Sequence, residues 1–390
     1  MKLFSGSKRQ KRILCVIIAV IIFLAIIASL WGVAVYSDIG FIAKWRTIYI
    51  ETAMSTMNHQ WLATAFIPQS VIDEVMDERS AVLEAGLVEE TKLPQATAAP
   101  TPEPEAEESE TQALCRIFPD IDPDTVPEDM IKGEAEKFKR KDMESVGVLT
   151  LCGDAVWAID AVNGILIVSV SGDGYAGKLA IVNDSSKVFL GVSQLTESGQ
   201  KITELCEEYD AVLGVNASGF DDPEGMGLGA KEDAQGLVIS EGVILQDTLT
   251  DGYFQIGGYD AENNFRIGYG LNISELRDAA QFYPAIILNG ENVTTGDSYG
   301  FGIQPRTVIG QTADKRTLLL VIDGRQVGYS VGTTVVECAA VLMRYGCYNA
   351  LCMDGGSSSA MAYDGELITS PSAHMENGRY IPNAWLVGKS

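Results

Sequence analysis

The run Thr334-Val-Val-Glu-Cys-Ala-Ala-Val-Leu-Met-Arg-Tyr-Gly346-Cys-Tyr-Asn-Ala-Leu-Cys-Met-Asp354-Gly-Gly-Ser-Ser-Ser359 holds a helix, a strand and a polar loop in succession. Thr334 and Glu337 are spaced as a capping box, and Gly346 supplies the left-handed stop, so the spacing predicts a helix from Thr334 to Tyr345. Ala350 to Met353 is an apolar run with the length of a buried strand. Asp354 follows it directly, and behind Asp354 come two glycines and three serines.

Working outward, the same strand signature recurs at Gly164 to Val170, Lys178 to Val182, Ala211 to Val215, Gly236 to Ile239, Ala285 to Leu288 and Thr317 to Asp323. Each run is rich in Val, Ile and Leu and is bounded by Gly, Asn or Asp. Helical stretches are fewer. Gln200 to Glu208 is one, and Ser274 to Gln281 is read as another. Many strands with few helices predict an α+β domain, a mixed β-sheet with a few packed helices, over residues 144–390.

Upstream of that domain the chain changes character several times. Ile13 to Tyr36 is apolar and free of charge, and a bilayer core needs roughly 20 such residues. Lys2, Lys8, Arg9, Lys11 and Arg12 precede it and Asp38 follows. The positive-inside rule then keeps residues 1–12 in the cytoplasm, makes 13–36 a single-pass transmembrane anchor and sends the C-terminal domain outside. The run is longer than the apolar core of a cleaved signal peptide. Residues 37–84 are expected to form a helical stalk, because Ile50, Met54, Met57 and Trp61 make one apolar stripe. That stripe lies on a neighbouring surface or self-associates. Residues 85–143 are a linker and lead-in, rich in Pro and Glu around residues 99–110, too poor in apolar side chains to repay ordering.

Composition narrows the function. The chain of 390 residues carries 28 basic and 53 acidic residues, a formal charge of −25. Such a surface repels nucleic acid, and no basic stripe offsets it. Seven cysteines form no Cys-x-x-Cys pair, and the only histidines are His59 and His374. A zinc knuckle, a histidine-rich metal site and a Ser–His triad are therefore not indicated. The cysteines outside the membrane run either pair in an oxidising compartment or are small buried apolar residues. Asp221, Asp222 and Glu224 have the chemistry for calcium without the spacing of a known loop, and a solvated acidic turn is the plainer reading. No cofactor is expected.

Four strand boundaries carry polar residues that strand-end loops use to build sites. They are Asn216-Ala-Ser-Gly219 after one strand, Arg306 at the entrance of another, Asp323-Gly-Arg325 after a third, and Asp354-Gly355-Gly356-Ser357-Ser358 after a fourth. Glycines and consecutive amides after Asp354 suit an anion-binding nest. An arginine suits a phosphate, which it grips with two parallel bonds. Taken singly, Asp-Gly after a strand is turn chemistry and an arginine at a strand edge is an ion pair.

In this order the motifs resemble the phosphodiester glycosidase family: Asn216-Ala-Ser-Gly-Phe, Arg306-Thr-Val-Ile-Gly, Asp323-Gly-Arg, the helix from Thr334, Asn349-Ala-Leu-Cys-Met-Asp-Gly-Gly-Ser-Ser-Ser, and Pro382-Asn383-Ala384. The similarity covers roughly residues 145–390. The family pattern often has glycine where this chain has Ala217, Ser218 and Ser357. The resemblance implies hydrolysis of a sugar-1-phosphodiester at the anomeric bond. On the chemistry of the residues, Asp354, Asp323 and Arg306 are the catalytic candidates. Asn216, Gly219, Arg325, Gly355, Gly356, Ser357, Ser358 and Asn383 are the candidates for binding the substrate. The expected partner is a sugar-phosphodiester or surface glycan, in cell-surface glycan or exopolysaccharide metabolism. The competing reading is a non-catalytic cell-wall glycan-binding protein, for which Tyr299 and Phe301 would be the aromatic platform.

Overall fold

The computed structural model describes residues 8–56, 59–94, 109–127, 147–195, 197–222, 228–248, 252–294, 301–373, 375 and 377–390. Met57, Glu224, Tyr299, His374 and the Pro/Glu stretch of residues 99–108 lie outside them. The chain forms two compact units, Met1–Asp77 and Glu78–Ser390.

In the first unit, α1 (Lys8–Tyr36) contains the apolar span Arg12–Tyr36, long and apolar enough to cross a membrane. The helix expected from the Ile50 stripe is broken into α2 (Gly40–Met54) and α3 (Trp61–Thr64), and α4 (Gln69–Ala85) begins after Pro68. Ile50, Ala53, Ala63, Val71, Ile72 and Val75 bury one another in a small cluster with Val35. Ile50 is thus consumed inside its own unit, whereas Trp61 at the end of the stripe stays 57% exposed.

The second unit is α+β. Its largest sheet runs in the order β1 (Ala155–Asp160), β2 (Ile165–Gly172), β3 (Tyr175–Val182), β14 (Thr317–Ile322), β13 (Arg306–Thr312), β15 (Cys347–Met353), β11 (Ala285–Leu288) and β12 (Glu291–Asn292). A second sheet is β7 (Val243–Gln246), β6 (Val238–Ser240), β10 (Leu276–Phe282), β8 (Gln255–Asp260) and β9 (Phe265–Gly268). The third is β17 (Glu366–Leu367), β16 (Met361–Tyr363), β5 (Ala211–Asn216), β18 (Asn383–Gly388) and β4 (Val188–Val192). Every pairing among these strands is antiparallel. The mixed sheet of the sequence reading is therefore refined to three antiparallel sheets. Several sequence neighbours, such as β2–β3 and β13–β14, are joined by short connections, and these deliver antiparallel partners.

The large sheet is buried on both faces, which is why β14 reads as an unbroken apolar run. Leu318, Leu320 and Ile322 pack on one side with Val335, Cys338, Ala339 and Leu342 of α7 (Val335–Arg344). Leu319 and Val321 pack on the other side with residues of the two smaller sheets, including Val215, Tyr259 and Trp385. The short helix α6 (Ile202–Glu208) lies against β5 and covers the third sheet with Ile202, Leu205 and Cys206.

Two expectations change. Ser274 to Gln281 is not a helix: it is a short turn followed by β10, held between β6 and β8. Its Arg, Ala and Gln residues favour helix locally, but pairing on both edges overrides that weak preference. The compact domain also begins before residue 144. Leu83 of α4, and Leu114 and Phe118 in and just after α5 (Glu110–Ile117), belong to its core. Val88 to Thr91 add a further run to the free edge of β9, with Thr91 N donating to Ile267 O at 2.8 Å and Tyr269 N to Val88 O at 3.1 Å. All seven cysteines are unpaired; Cys206, Cys338, Cys347 and Cys352 are buried, and burial pushes the Cys206 and Cys352 thiols up to about 12.

Candidate active site

Register brings the polar boundaries together. Arg306 opens β13 opposite Ile322, the last residue of β14, and Thr307 lies opposite Met353, the last residue of β15. Asp323 and Asp354 each stand one residue beyond those strand ends, so all three residues emerge at one end of the large sheet. Asn216 closes β5 and ties the third sheet to this end. Its Nδ2 donates to Asp354 O at 2.7 Å, while its Oδ1 accepts from Thr307 Oγ1 at 2.7 Å and Ala360 N at 3.2 Å. Asp354 N donates to Ala217 O at 2.9 Å. Asn216 is 1% exposed and its amide is spent on these bonds. It sets the position of the Asp354 loop and does not reach out to sugar hydroxyls as expected.

Asp354 is the carboxylate around which the other polar candidates gather. It is only part-exposed, and crowding by protein raises its pKa from the usual 3.8 to about 6. The charges of Arg379 and Arg325 pull the other way without cancelling the desolvation, and the buried Ser358 Oγ makes no hydrogen bond among the described residues. Arg325 is exposed as a residue, but its head is drawn inward: Nη2 donates to Gln304 Oε1 at 2.8 Å, and the guanidinium covers Gly356. A Cβ on Gly356 would come 2.9 Å from Arg325 Nη2, so glycine is what lets the guanidinium lie there. Desolvation of the guanidinium lowers the Arg325 pKa most; Asp354 opposes this, and the charges of Arg306 and Arg379 add to it. Arg379 reaches Ser357 Oγ with Nη1 at 3.3 Å, pairs with Asp222 through Nη2, and stacks over Phe220 at 4.4 Å.

The structure therefore joins Asp354, Arg325, Gly355, Gly356, Ser357 and Ser358 as expected, and adds Arg379, which the sequence reading did not single out. Arg379 lies in an irregular segment with no periodicity, and its partner Asp222 is distant in sequence. The Gly378-Arg379-Tyr380 triplet gives no signal of its own.

Other candidates take different roles. The Asp323 carboxylate is 2% exposed and is held by Tyr329 OH at 2.8 Å and Ser370 N at 2.8 Å. Desolvation raises its pKa, and its nearby cation is Lys178, not an arginine of the Asp354 cluster. Asp323 is a bracket between loops and not the second carboxylate of a pair. Arg306 donates from Nη2 to Phe301 O at 2.6 Å and Gly302 O at 2.9 Å and from Nε to Thr333 O at 3.2 Å. It shapes this loop, and its charge still bears on Arg325.

Of the amides expected to form an anion nest after Asp354, three are used within the protein: Gly356 N donates to Pro305 O, Ser358 N to Gly355 O and Ser359 N to Gly356 O. Asn383 Oδ1 accepts from Ser218 N at 2.9 Å, and its buried Nδ2 has no partner among the described residues. Gly219 sits under Phe282, where a Cβ would meet the ring at 2.8 Å. Asp221 accepts from Gln235 at 2.7 Å and Asp222 is held by Arg379. No cluster of three or more metal-ligating side chains occurs among the described residues. Phe301, expected as an aromatic platform, is 2% exposed with Arg79 stacked over it at 4.7 Å.

Two guanidinium groups thus flank the Asp354 loop, Arg325 over Gly356 and Arg379 on Ser357. A family model described as phosphodiester glycosidase matches residues 209–388, which takes in Asn216, Arg306, Arg325, Asp354 and Arg379. Over this part of the chain, 180 of its 390 residues, the sequence is similar to the phosphodiester glycosidase family. It is 27% identical over 200 residues to a Bacillus subtilis (strain 168) protein described as SPbeta prophage-derived uncharacterized protein YomE. That match covers 46% of this chain and 29% of that relative, less than a third of its length. Among solved structures, the zebrafish N-acetylglucosamine-1-phosphodiester alpha-N-acetylglucosaminidase catalytic domain, auto-inhibited by its pro-peptide, aligns with a TM-score of 0.48 at 17% identity. It covers 58% of this chain and 82% of that one. A hypothetical protein from Synechocystis aligns with a TM-score of 0.41 at 14% identity, over 60% and 64% of the two chains.

Proposed function

We propose that the domain is an extracytoplasmic hydrolase that cleaves the anomeric bond of a sugar-1-phosphodiester in a cell-surface glycan or exopolysaccharide, tethered to the membrane by α1. The observation that carries this reading is that Arg325 lies over Gly356 and Arg379 reaches Ser357, so two guanidinium groups flank the loop of Asp354 in a chain of net charge −25. Guanidinium groups so placed suit a phosphate, which they can grip with parallel bonds.

In this reading Arg325 and Arg379 grip the phosphate oxygens. Asp354, ionised above pH of about 6, takes a proton from water as the water oxygen attacks C1, or attacks C1 itself. The C1–O bond breaks and its electrons leave with the phosphate monoester, whose charge the two arginines stabilise without prior protonation. Asn216 and Asn383 hold the loops that carry Asp354 and Ser218. No cofactor takes part, and self-association through exposed Trp61 is the remaining role for the stripe ahead of the domain.

The test is phosphorus NMR of the full-length protein in nanodiscs with a panel of sugar-1-phosphodiesters. A new phosphate-monoester signal is expected from the wild type and not from Asp354→Asn. Arg325→Lys and Arg379→Lys should act mainly through KM, because a point charge cannot replace the fork. Absence of the signal across the panel would overturn the assignment.

A further inference from the structure

Four aromatic rings stand at the edge of this site. Tyr253 and Tyr283 have ring centroids 4.7 Å apart, Phe254 and Tyr283 4.6 Å, Phe282 and Tyr283 5.0 Å, and Phe254 and Phe282 6.0 Å. All four are half-buried. Their place follows from the strands. Phe282 ends β10 and lies opposite Gln255 at the start of β8, so the pairs 253–254 and 282–283 meet at one end of the second sheet. The next residue, Pro284, accepts from Cys352 N at 3.0 Å, which sets Tyr283 beside the Met353–Asp354 end of β15. Phe282 closes over Gly219, in the loop whose Ala217 carbonyl accepts from Asp354 N. The rings thus border Asp354 from the side of β11 and the Asn216 loop.

Half-exposed stacked aromatics beside a perturbed acid and several cations suit an amphipathic ligand. The Tyr283 hydroxyl has no hydrogen-bond partner among the described residues, and Arg79, Asp354 and Arg306 all bear on it electrostatically. Burial pushes its pKa up, so it stays a donor at neutral pH.

We propose that Tyr253, Phe254, Phe282 and Tyr283 form the sugar-stacking wall of the site. A C–H face of a pyranose lies on the rings, and the Tyr283 hydroxyl donates to an oxygen of the bound glycosyl phosphate. This rests on the reading of the site as a sugar-1-phosphodiester hydrolase and names how it selects a sugar. The wall accounts for recognition of the sugar, and Arg325 and Arg379 for recognition of the phosphate.

Saturation-transfer NMR with a panel of methyl α-pyranosides, on the full-length protein in nanodiscs, tests the wall without requiring turnover. Transfer to ring C–H protons is expected in the wild type and in Asp354→Asn, and should be lost in Phe254→Leu. In phosphorus NMR assays Phe254→Leu should raise KM roughly 3- to 10-fold with kcat retained, the scale of one aromatic contact. Tyr283→Phe keeps the ring, so it should keep the transfer and lower kcat/KM by about 10-fold, the scale of one hydrogen bond. No transfer in the wild type, or unchanged transfer and KM in a folded Phe254→Leu protein, would overturn the wall. Transfer without hydrolysis of any diester would leave the wall standing and remove the hydrolase reading. Hydrolysis with unchanged KM in Phe254→Leu would do the reverse.

Discussion

At the scale of single residues, Asp354 binds activity and stability together with opposite signs. Its pKa is raised from 3.8 to about 6 by desolvation, so its contribution to stability is full below about pH 4 and is lost as pH rises through about 6. Asp354→Asn removes that late loss. Its melting temperature should match the wild type near pH 4 and exceed it at pH 7.5, as differential scanning calorimetry will show. Turnover at pH 7.5 should meanwhile fall roughly 100-fold or more, since the carboxylate supplies the basic or nucleophilic step. In the wild type, kcat/KM should climb through about pH 6 and level off above it; a profile that falls there would make Asp354 an acid and not a base. Arg306→Lys should behave differently from both. The fork that holds Phe301, Gly302 and Thr333 carbonyls is lost, and two or three acceptors lose partners, so urea melts should show a loss of about 2 kcal/mol. These contrasts explain what was legible in the sequence. Asp354 stood out because small residues follow a buried strand. Asp323 stood out only as an Asp-Gly pair after a buried strand and is a bracket; what separates the two in the structure is their neighbours, Tyr329 and Ser370 for one, Arg325 and Arg379 for the other. Those neighbours come from loops whose meeting has no local signature.

At the scale of elements, strands with a single possible environment were readable and strands with a choice were not. β14 is apolar at nearly every position and can only be central. β10 carries Arg, Asp and Gln among its apolar residues and takes its state from β6 and β8 on either edge. The segment before the domain shows the same dependence. Nothing in Gly86 to Lys92 reads as a strand, yet Val88 N donates to Gln255 Oε1 at 3.0 Å, Thr91 pairs with Ile267, and Arg266 holds both Glu90 and Glu275. This run covers the free edge of β9, and Leu83 just before it is 4% exposed in the core. A chain trimmed to residues 78–390 should therefore unfold in one cooperative step. One trimmed to 113–390 should lose stability and self-associate through the bared edge of β9, a contrast that sedimentation and urea melts can resolve. Leu83→Ala in the full chain should cost about 2–4 kcal/mol. Equal behaviour of the two trimmed chains would return residues 78–94 to the status of linker.

At the scale of the whole molecule, charge is distributed in a way that fits a tethered enzyme. The cations Lys8, Arg9, Lys11 and Arg12 precede or open the apolar span of α1, Asp38 follows it, and the rest of the chain is strongly acidic. An acidic surface stands off from an anionic bilayer and from nucleic acid, against which Arg306, Arg325 and Arg379 gather near Asp354. The span is 25 residues, and within the helix its cationic flank lies only at the N-terminal end; on this asymmetry rests the proposed orientation, with residues 1–12 inside and the sheet domain outside. Protease added to intact cells should then release a fragment containing the domain, leaving α1 behind in the membrane fraction. The sheets, whose backbone is locked in ladders, should resist cleavage. Replacing Lys2, Lys8, Arg9, Lys11 and Arg12 with Gln and adding lysines after Tyr36 should reverse the protection, because the lysine and arginine bias sets the orientation. Full protection of the domain in intact wild-type cells, with digestion only after lysis, would place the Asp354 site in the cytoplasm, away from any surface glycan.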